Sequence, residues 1–200
     1  MYGGDVGNTM ISDEALMLDF QRGSREAFEE LFARYRGAIH GFFRRRLENN
    51  ERAEDLAQET FLALIRAVSR YQPRAQLRTY LYGIALKLLA AERRKHKSAS
   101  LDECDHELPV IDEIPDRALW VRQSLEKLDG FEREILMLRE YEQLSYAEIS
   151  QLLRLPVNTV RSRLFRARLA LKGHLEPQMK LHRATTASGT QDQDEDEAQQ

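Results

Sequence analysis

Large apolar residues recur at three- and four-residue steps through much of this chain, a period that only helices can use. Phe28, Leu31, Phe32, Tyr35, Ile39, Phe42 and Phe43 form one such stripe, the spacing that lines side chains along one helical face. Ser24 precedes it as a plausible N-cap, with Glu26 in the first turn. A second stripe, from Arg52 to Arg70, turns Leu56, Phe61, Leu64, Ile65 and Val68 inward. Pro73 then interrupts, because the residue before a proline is biased away from helical geometry. The third stripe is Leu77, Tyr80, Leu81, Ile84, Ala85, Leu88 and Leu89, running into Arg93-Arg94-Lys95-His96-Lys97. No strand-like alternation competes in this block, and 5 Pro and 10 Gly in 200 residues favour helices over a turn-rich sandwich. The expected fold class is all-α.

The net charge of −3 conceals a block structure. Residues 1–13 carry −2, 14–98 carry +6, 99–116 carry −7, 117–183 carry +5 and 184–200 carry −5. Two basic helical blocks therefore flank an acidic connector containing Pro109 and Pro115, which reads as a flexible linker. The expected organisation is an N-terminal tail at 1–13, a helical domain at 14–98, the linker at 99–116, a second helical domain at 117–178 and a disordered acidic tail at 179–200. Basic blocks point to a polyanionic partner, of which nucleic acid is the commonest.

Several classes drop out. No apolar run reaches the roughly 18 residues of a membrane span, and the first 13 residues lack the basic and apolar parts of a secretory signal. A single cysteine, Cys104, suits a reducing cytosol, so a cytoplasmic protein is expected. His40, His96, His106, His174 and His182 are scattered, and no glycine-rich phosphate loop is present. Cys104 and His106 make half a metal site with no second pair to close it. The chain reads as a non-enzyme with no catalytic residues, no cofactor and no metal.

The sharpest local signal lies near the C-terminal end. Ser145-Tyr-Ala-Glu148 has the capping-box form, with Ile149 and Leu152 as the apolar face of a short helix. Leu153-Arg-Leu155 makes a turn, and Pro156 suits the opening of a second helix, about Val157 to Lys172. That helix buries Val160, Leu164 and Ala167 and carries Thr159, Arg161, Ser162, Arg163, Arg166 and Arg168 on its other faces. A tight helix pair whose second member presents Arg and Ser near its N-terminal end matches a helix-turn-helix entering a major groove.

These residues resemble a known family. Leu138-Arg-Glu-Tyr-Glu-Gln-Leu-Ser-Tyr-Ala-Glu-Ile-Ser-Gln-Leu-Leu153 and Pro156-Val-Asn-Thr-Val-Arg-Ser-Arg-Leu-Phe-Arg-Ala-Arg168 are similar to region 4 of bacterial sigma factors, of the small extracytoplasmic-function (ECF) group. Gly23-Ser-Arg-Glu-Ala-Phe-Glu-Glu-Leu-Phe-Ala-Arg-Tyr35 and Ala53-Glu-Asp-Leu-Ala-Gln-Glu-Thr-Phe61 resemble regions 2.1 and 2.2, and Thr79-Tyr-Leu-Tyr-Gly-Ile-Ala85 resembles regions 2.3 and 2.4. The resemblance spans about residues 14–176. It implies core RNA polymerase as obligate partner, through the coiled coil of its largest subunit, promoter DNA as target, and an anti-sigma protein as a further partner.

Site residues carry over position by position. The resemblance implies polymerase binding by Asp55, Leu56, Gln58 and Glu59. It implies contact with the −10 element and single-stranded DNA by Tyr71, Arg74, Arg78, Tyr80, Tyr82, Lys87, Arg93 and Arg94. Aromatic faces there stack on unpaired bases while Arg and Lys track phosphates, and one of Tyr80 and Tyr82 is expected in the core. Arg161, Ser162, Phe165 and Arg166 match positions facing the −35 element, with Arg139 and Thr159 as phosphate contacts. The chain departs from the family at Tyr80, Gly83, Leu86 and Lys87, where members often carry Trp, Arg, Arg and Asn. The rival reading is a stand-alone helix-turn-helix regulator that binds DNA without polymerase.

Overall fold

A computed structural model describes the backbone of residues 11–73, 76–99 and 116–188, and side chains over 11–73, 76–96 and 119–176. The described helices fall into two units. The first holds α1 (Asp13–Gln21), α2 (Arg25–Arg44), α3 (Asn50–Ala67) with a closing 3₁₀ turn at Val68–Arg70, and α4 (Leu77–Ala99). The second holds α5 (Asp116–Glu126), α6 (Gly130–Glu140), α7 (Tyr146–Leu153) and α8 (Val157–Ser188). No strand occurs among the described residues, as the three- and four-residue spacing requires.

Helix starts obey local chemistry. Ser12, Ser24 and Asn49 each accept a hydrogen bond from the backbone N–H three residues on, satisfying donors the helix itself leaves orphaned. Gly23 joins α1 to α2 at φ +103°, a conformation that a side chain would strain. Asp129 caps α6 through bonds from Phe131 and Glu132.

In the first unit, Met17, Leu31, Ile39, Phe42, Phe43, Leu56, Leu64, Leu77, Leu81 and Leu89 form the core, each nearly sealed from water. One position expected to point inward lies at its rim. Ile65 is 39% exposed, because it succeeds buried Leu64 by a rotation of about 100°.

Residues 179–188 belong to α8, which runs to Ser188, so the helix continues well past Lys172. The rest of the tail and nearly all of the linker (100–115) lie outside the described residues.

The separate helix α1 was not legible in the apolar stripes, and it anchors the segment that connects α3 to α4. Gln21 Nε2 donates to the carbonyls of Val68 (2.8 Å) and Tyr71 (3.2 Å). Glu14 Oε1 accepts from the backbone N–H of Leu77 at 3.1 Å, at the opening of α4. Both ends of the connecting segment are thereby held by one short helix.

Candidate nucleic-acid interface

The helix-turn-helix is built as its sequence dictates. Ser145 accepts from the Glu148 N–H (3.2 Å), and the Glu148 carboxylate accepts from the Ser145 N–H (2.8 Å), closing the capping box. The turn after α7 is made by Arg154 in the left-handed conformation (φ 54°, ψ 46°). Ser150 locks that turn: its carbonyl accepts from Leu155 N–H at 3.0 Å and its hydroxyl donates to Leu155 O at 2.5 Å. Pro156 sits one residue before α8, and its carbonyl accepts from Thr159 and Val160. Val160, Leu164 and Ala167 are fully buried, as their spacing predicts.

Burying that face commits the opposite one to solvent. Asn158, Arg161, Ser162, Phe165 and Arg166 line a single open concavity on α8. Phe165 is 68% exposed and Leu169, one turn on, is 60% exposed. The Arg161 side chain makes no ion pair or hydrogen bond among the described residues. The Ser162 hydroxyl donates to the Thr159 carbonyl at 3.0 Å, leaving its lone pairs outward. Arg166 stands 3.6 Å from the Glu132 carboxylate of α6.

Two other arginines of α8 pair with α6 instead. Arg163 lies over the Phe131 ring, 4.6 Å from its centroid. Arg168 donates to Glu140 of α6 at 2.7 and 3.1 Å, and that carboxylate holds the guanidinium pKa above its ordinary value. Arg139 donates to the Leu144 carbonyl at 2.9 Å across the α6–α7 turn, and Thr159 is half-buried. Neither belongs to the concavity. Asn158 does, although the apolar and basic patterns did not single it out; its position three and four residues before Arg161 and Ser162 was the available signal.

In the first unit, Asp55 and Gln58 are exposed on α3 and Glu59 is half-buried. Leu56 is 1% exposed and belongs to the core, so its side chain presents no surface here. Arg52 organises this face. Its Nε and Nη2 donate to the two oxygens of Glu92 of α4 at 2.7 and 2.8 Å. Its Nη1 reaches Glu59 at 3.2 Å and Asp55 at 3.6 Å. These bonds hold the Glu92 carboxyl below its ordinary pKa although the side chain is almost entirely buried. Beyond the carboxylates the same helical face continues with exposed Leu62 and Ile65.

The aromatic-basic tract divides. Tyr82 (2% exposed) and Tyr71 (6%) are core residues, and Tyr82 is thereby the buried member expected of the Tyr80/Tyr82 pair. Tyr82 packs against Phe42, and Tyr71 meets half-buried Tyr80 edge-on at 5.7 Å. The direction of Tyr82 is set by helix phase: it adjoins Leu81 and precedes Ala85 by three, and both of those are buried. Lys87, Arg93 and Arg94 are exposed and Arg78 is half-buried. Arg74 lies outside the described residues. No group of three or more metal-ligating side chains gathers among the described residues, and none of the described helices is long and apolar enough to cross a membrane.

Comparisons with known proteins respect this two-unit division. Residues 31–99 match the family model for Sigma-70 region 2, and residues 118–171 match that for Sigma-70 region 4. The chain is 36% identical over 187 residues to the RNA polymerase sigma-H factor of Pseudomonas aeruginosa, covering 84% of this chain and 96% of that protein. It is 30% identical over 184 residues to the ECF RNA polymerase sigma-E factor of Escherichia coli, again covering 84% and 96%. Among solved structures it is similar to CnrH in complex with the cytosolic domain of CnrY, with a TM-score of 0.66 and 27% identity over 82% of this chain and 97% of that one. The fold also matches the sigma factor RpoE of Bartonella quintana, solved with the anti-sigma factor NepR, at a TM-score of 0.62 and 21% identity over 74% of this chain and 96% of that one. Two helical units in this order, the second with an outward basic stripe on its recognition helix, therefore have a shared origin: the chain belongs to the sigma-70 family of RNA polymerase sigma factors, within the ECF group.

Proposed function

We propose that this sigma factor divides its work between its two units. The family's function is to bind core RNA polymerase, recognise the −35 and −10 promoter elements and promote melting and initiation, and this chain shares it. In this reading Asp55, Gln58 and Glu59 of α3 meet the polymerase, and the apolar strip of Leu62 and Ile65 extends that surface. Leu56 supports it from within. Exposed Lys87, Arg93 and Arg94, with Arg78 and Tyr80, track and stack the opened −10 strand. Arg161, Ser162, Phe165 and Arg166 read the −35 element from the major groove, with Arg139 and Thr159 at its phosphates.

The observation that carries this reading is the exposed stripe on α8: a 68%-exposed phenylalanine between arginines has no packing role to explain it. A stand-alone regulator leaves the acidic face of α3 without a task. The protein acts in the cytoplasm, as a specificity factor and not as an enzyme. An anti-sigma protein is its natural antagonist, since CnrH was solved with the cytosolic domain of CnrY and the Bartonella RpoE with an anti-sigma factor.

The test is binding of the full chain to sigma-free core polymerase, beside Asp55→Ala/Gln58→Ala/Glu59→Ala. Tight binding that the triple variant loses supports the assignment. Equal binding by both removes the α3 face from it.

A further inference from the structure

The exposed stripe of α8 is chemically uneven, and that unevenness assigns a base. Asn158, Arg161, Ser162, Phe165, Arg166 and Leu169 fall at the three- and four-residue steps of one helical face. Arg161 and Arg166 can only donate hydrogen bonds. The Ser162 hydroxyl spends its proton on the Thr159 carbonyl, so it faces outward as an acceptor. Phe165 and Leu169 offer only apolar surface. Asn158 alone on this stripe places an amide donor and a carbonyl acceptor side by side. It is exposed, lines the same concavity as Arg161 and Arg166, and has no hydrogen-bond partner among the described residues.

The major-groove edge of adenine presents an acceptor, N7, next to a donor, the N6 amino group, and an Asn side chain meets both at once. Arginine cannot, because it lacks an acceptor. Position along the helix agrees: N-terminal residues of a recognition helix reach base edges, and Asn158 is the second residue of α8. Its own helix makes no demand on it, since Pro156 accepts the first backbone bonds.

We propose that Asn158 is a specificity-determining residue that reads one adenine of the −35 element through a paired hydrogen bond. This rests on the reading of α8 as the −35 face. The test uses holoenzyme assembled from the full chain and core polymerase, selecting from a promoter library randomised across the −35 element. Wild type is expected to enrich adenine at one position that Asn158→Ala relaxes about fivefold or more, with the other positions and the salt dependence unchanged. Asn158→Asp, which keeps only acceptors, is expected to move that position toward cytosine. Unchanged preference in Asn158→Ala overturns the proposal, and so does adenine retained at wild-type strength by Asn158→Asp. A uniform loss on all sequences with a shallower salt slope also overturns it, since that marks a phosphate contact. Arg161→Ala/Arg166→Ala separates the two levels: if this variant keeps full −35 dependence, the α8 face itself is wrong. If it loses that dependence while Asn158→Ala changes nothing, only the adenine assignment fails.

Discussion

Arg52 of α3 and Glu92 of α4 are joined by two parallel hydrogen bonds of 2.7 and 2.8 Å, with Glu92 almost wholly buried. The fork consumes one edge of the guanidinium and leaves the other for Glu59 and Asp55. A packing contact between two helices thus also restrains the carboxylates proposed to meet the polymerase. Planar bidentate geometry makes Lys a poor substitute at this site.

This pair predicts an acid sensitivity. The bonds from Arg52 lower the Glu92 pKa in the folded protein relative to the unfolded chain. The stabilisation is therefore fully present above the unfolded carboxylate range, about 4.3–4.5, and is lost as pH falls through the lower folded value. Glu92→Gln is expected to lower stability by about 1–3 kcal/mol at pH 7 and to flatten the decline below pH ~4.5. Thermal melts at pH 7, 4.5 and 3 check it; parallel curves for wild type and variant would count against it.

The tyrosines and lysine of α4 are expected to separate cleanly. Tyr82→Ala empties a core site beside Phe42 and should cost about 3 kcal/mol of stability. Lys87→Ala, at an exposed position, should stay within about 0.5 kcal/mol while weakening open-complex formation. Urea unfolding paired with a promoter-opening assay distinguishes a structural from a DNA-facing role.

Neighbouring residues of α8 should behave oppositely. Leu164 is fully buried, so Leu164→Ala should cost about 2–5 kcal/mol. Phe165 is mostly exposed, so Phe165→Ala should change stability by no more than about 0.5 kcal/mol yet weaken −35-dependent binding. A large fall in melting temperature for Phe165→Ala would show that the face is packed, not free.

The turn of the helix-turn-helix carries a removable cost. Arg154 adopts φ 54°, ψ 46°, a conformation that costs a non-glycine residue roughly 1–2 kcal/mol. Glycine avoids that strain but loses more chain entropy, about 0.5–1 kcal/mol. Arg154→Gly is expected to be neutral or to stabilise by up to about 1 kcal/mol, measured by denaturant midpoint. A clear destabilisation would mean that the Arg154 side chain contributes to the fold.

Local rules were enough for much of this molecule. The apolar period alone specified helices, because three- and four-residue steps have no use in a strand, and it named Val160, Leu164 and Ala167 as the buried face of α8. The Ser145–Glu148 capping box was readable because its partners are three residues apart. The outward stripe of Arg161, Ser162, Phe165 and Arg166 is the complement of that buried face, and Asn158 joins it only once the concavity is seen.

Phase against the rest of the fold was another matter. Tyr71 and Tyr82 face the core while Ile65 does not, since apolar and aromatic side chains suit both a core and a partner surface. The same limit applied to charge. Counting bases across 14–98 and 117–183 gave a sign and not an assignment. Arg52 is spent on Glu92, 40 residues away, and Arg168 on Glu140, 28 residues away, leaving Arg161 to face outward. Partners that distant meet only when helices pack, so which arginines are left exposed and unpaired within the fold was decided by tertiary structure.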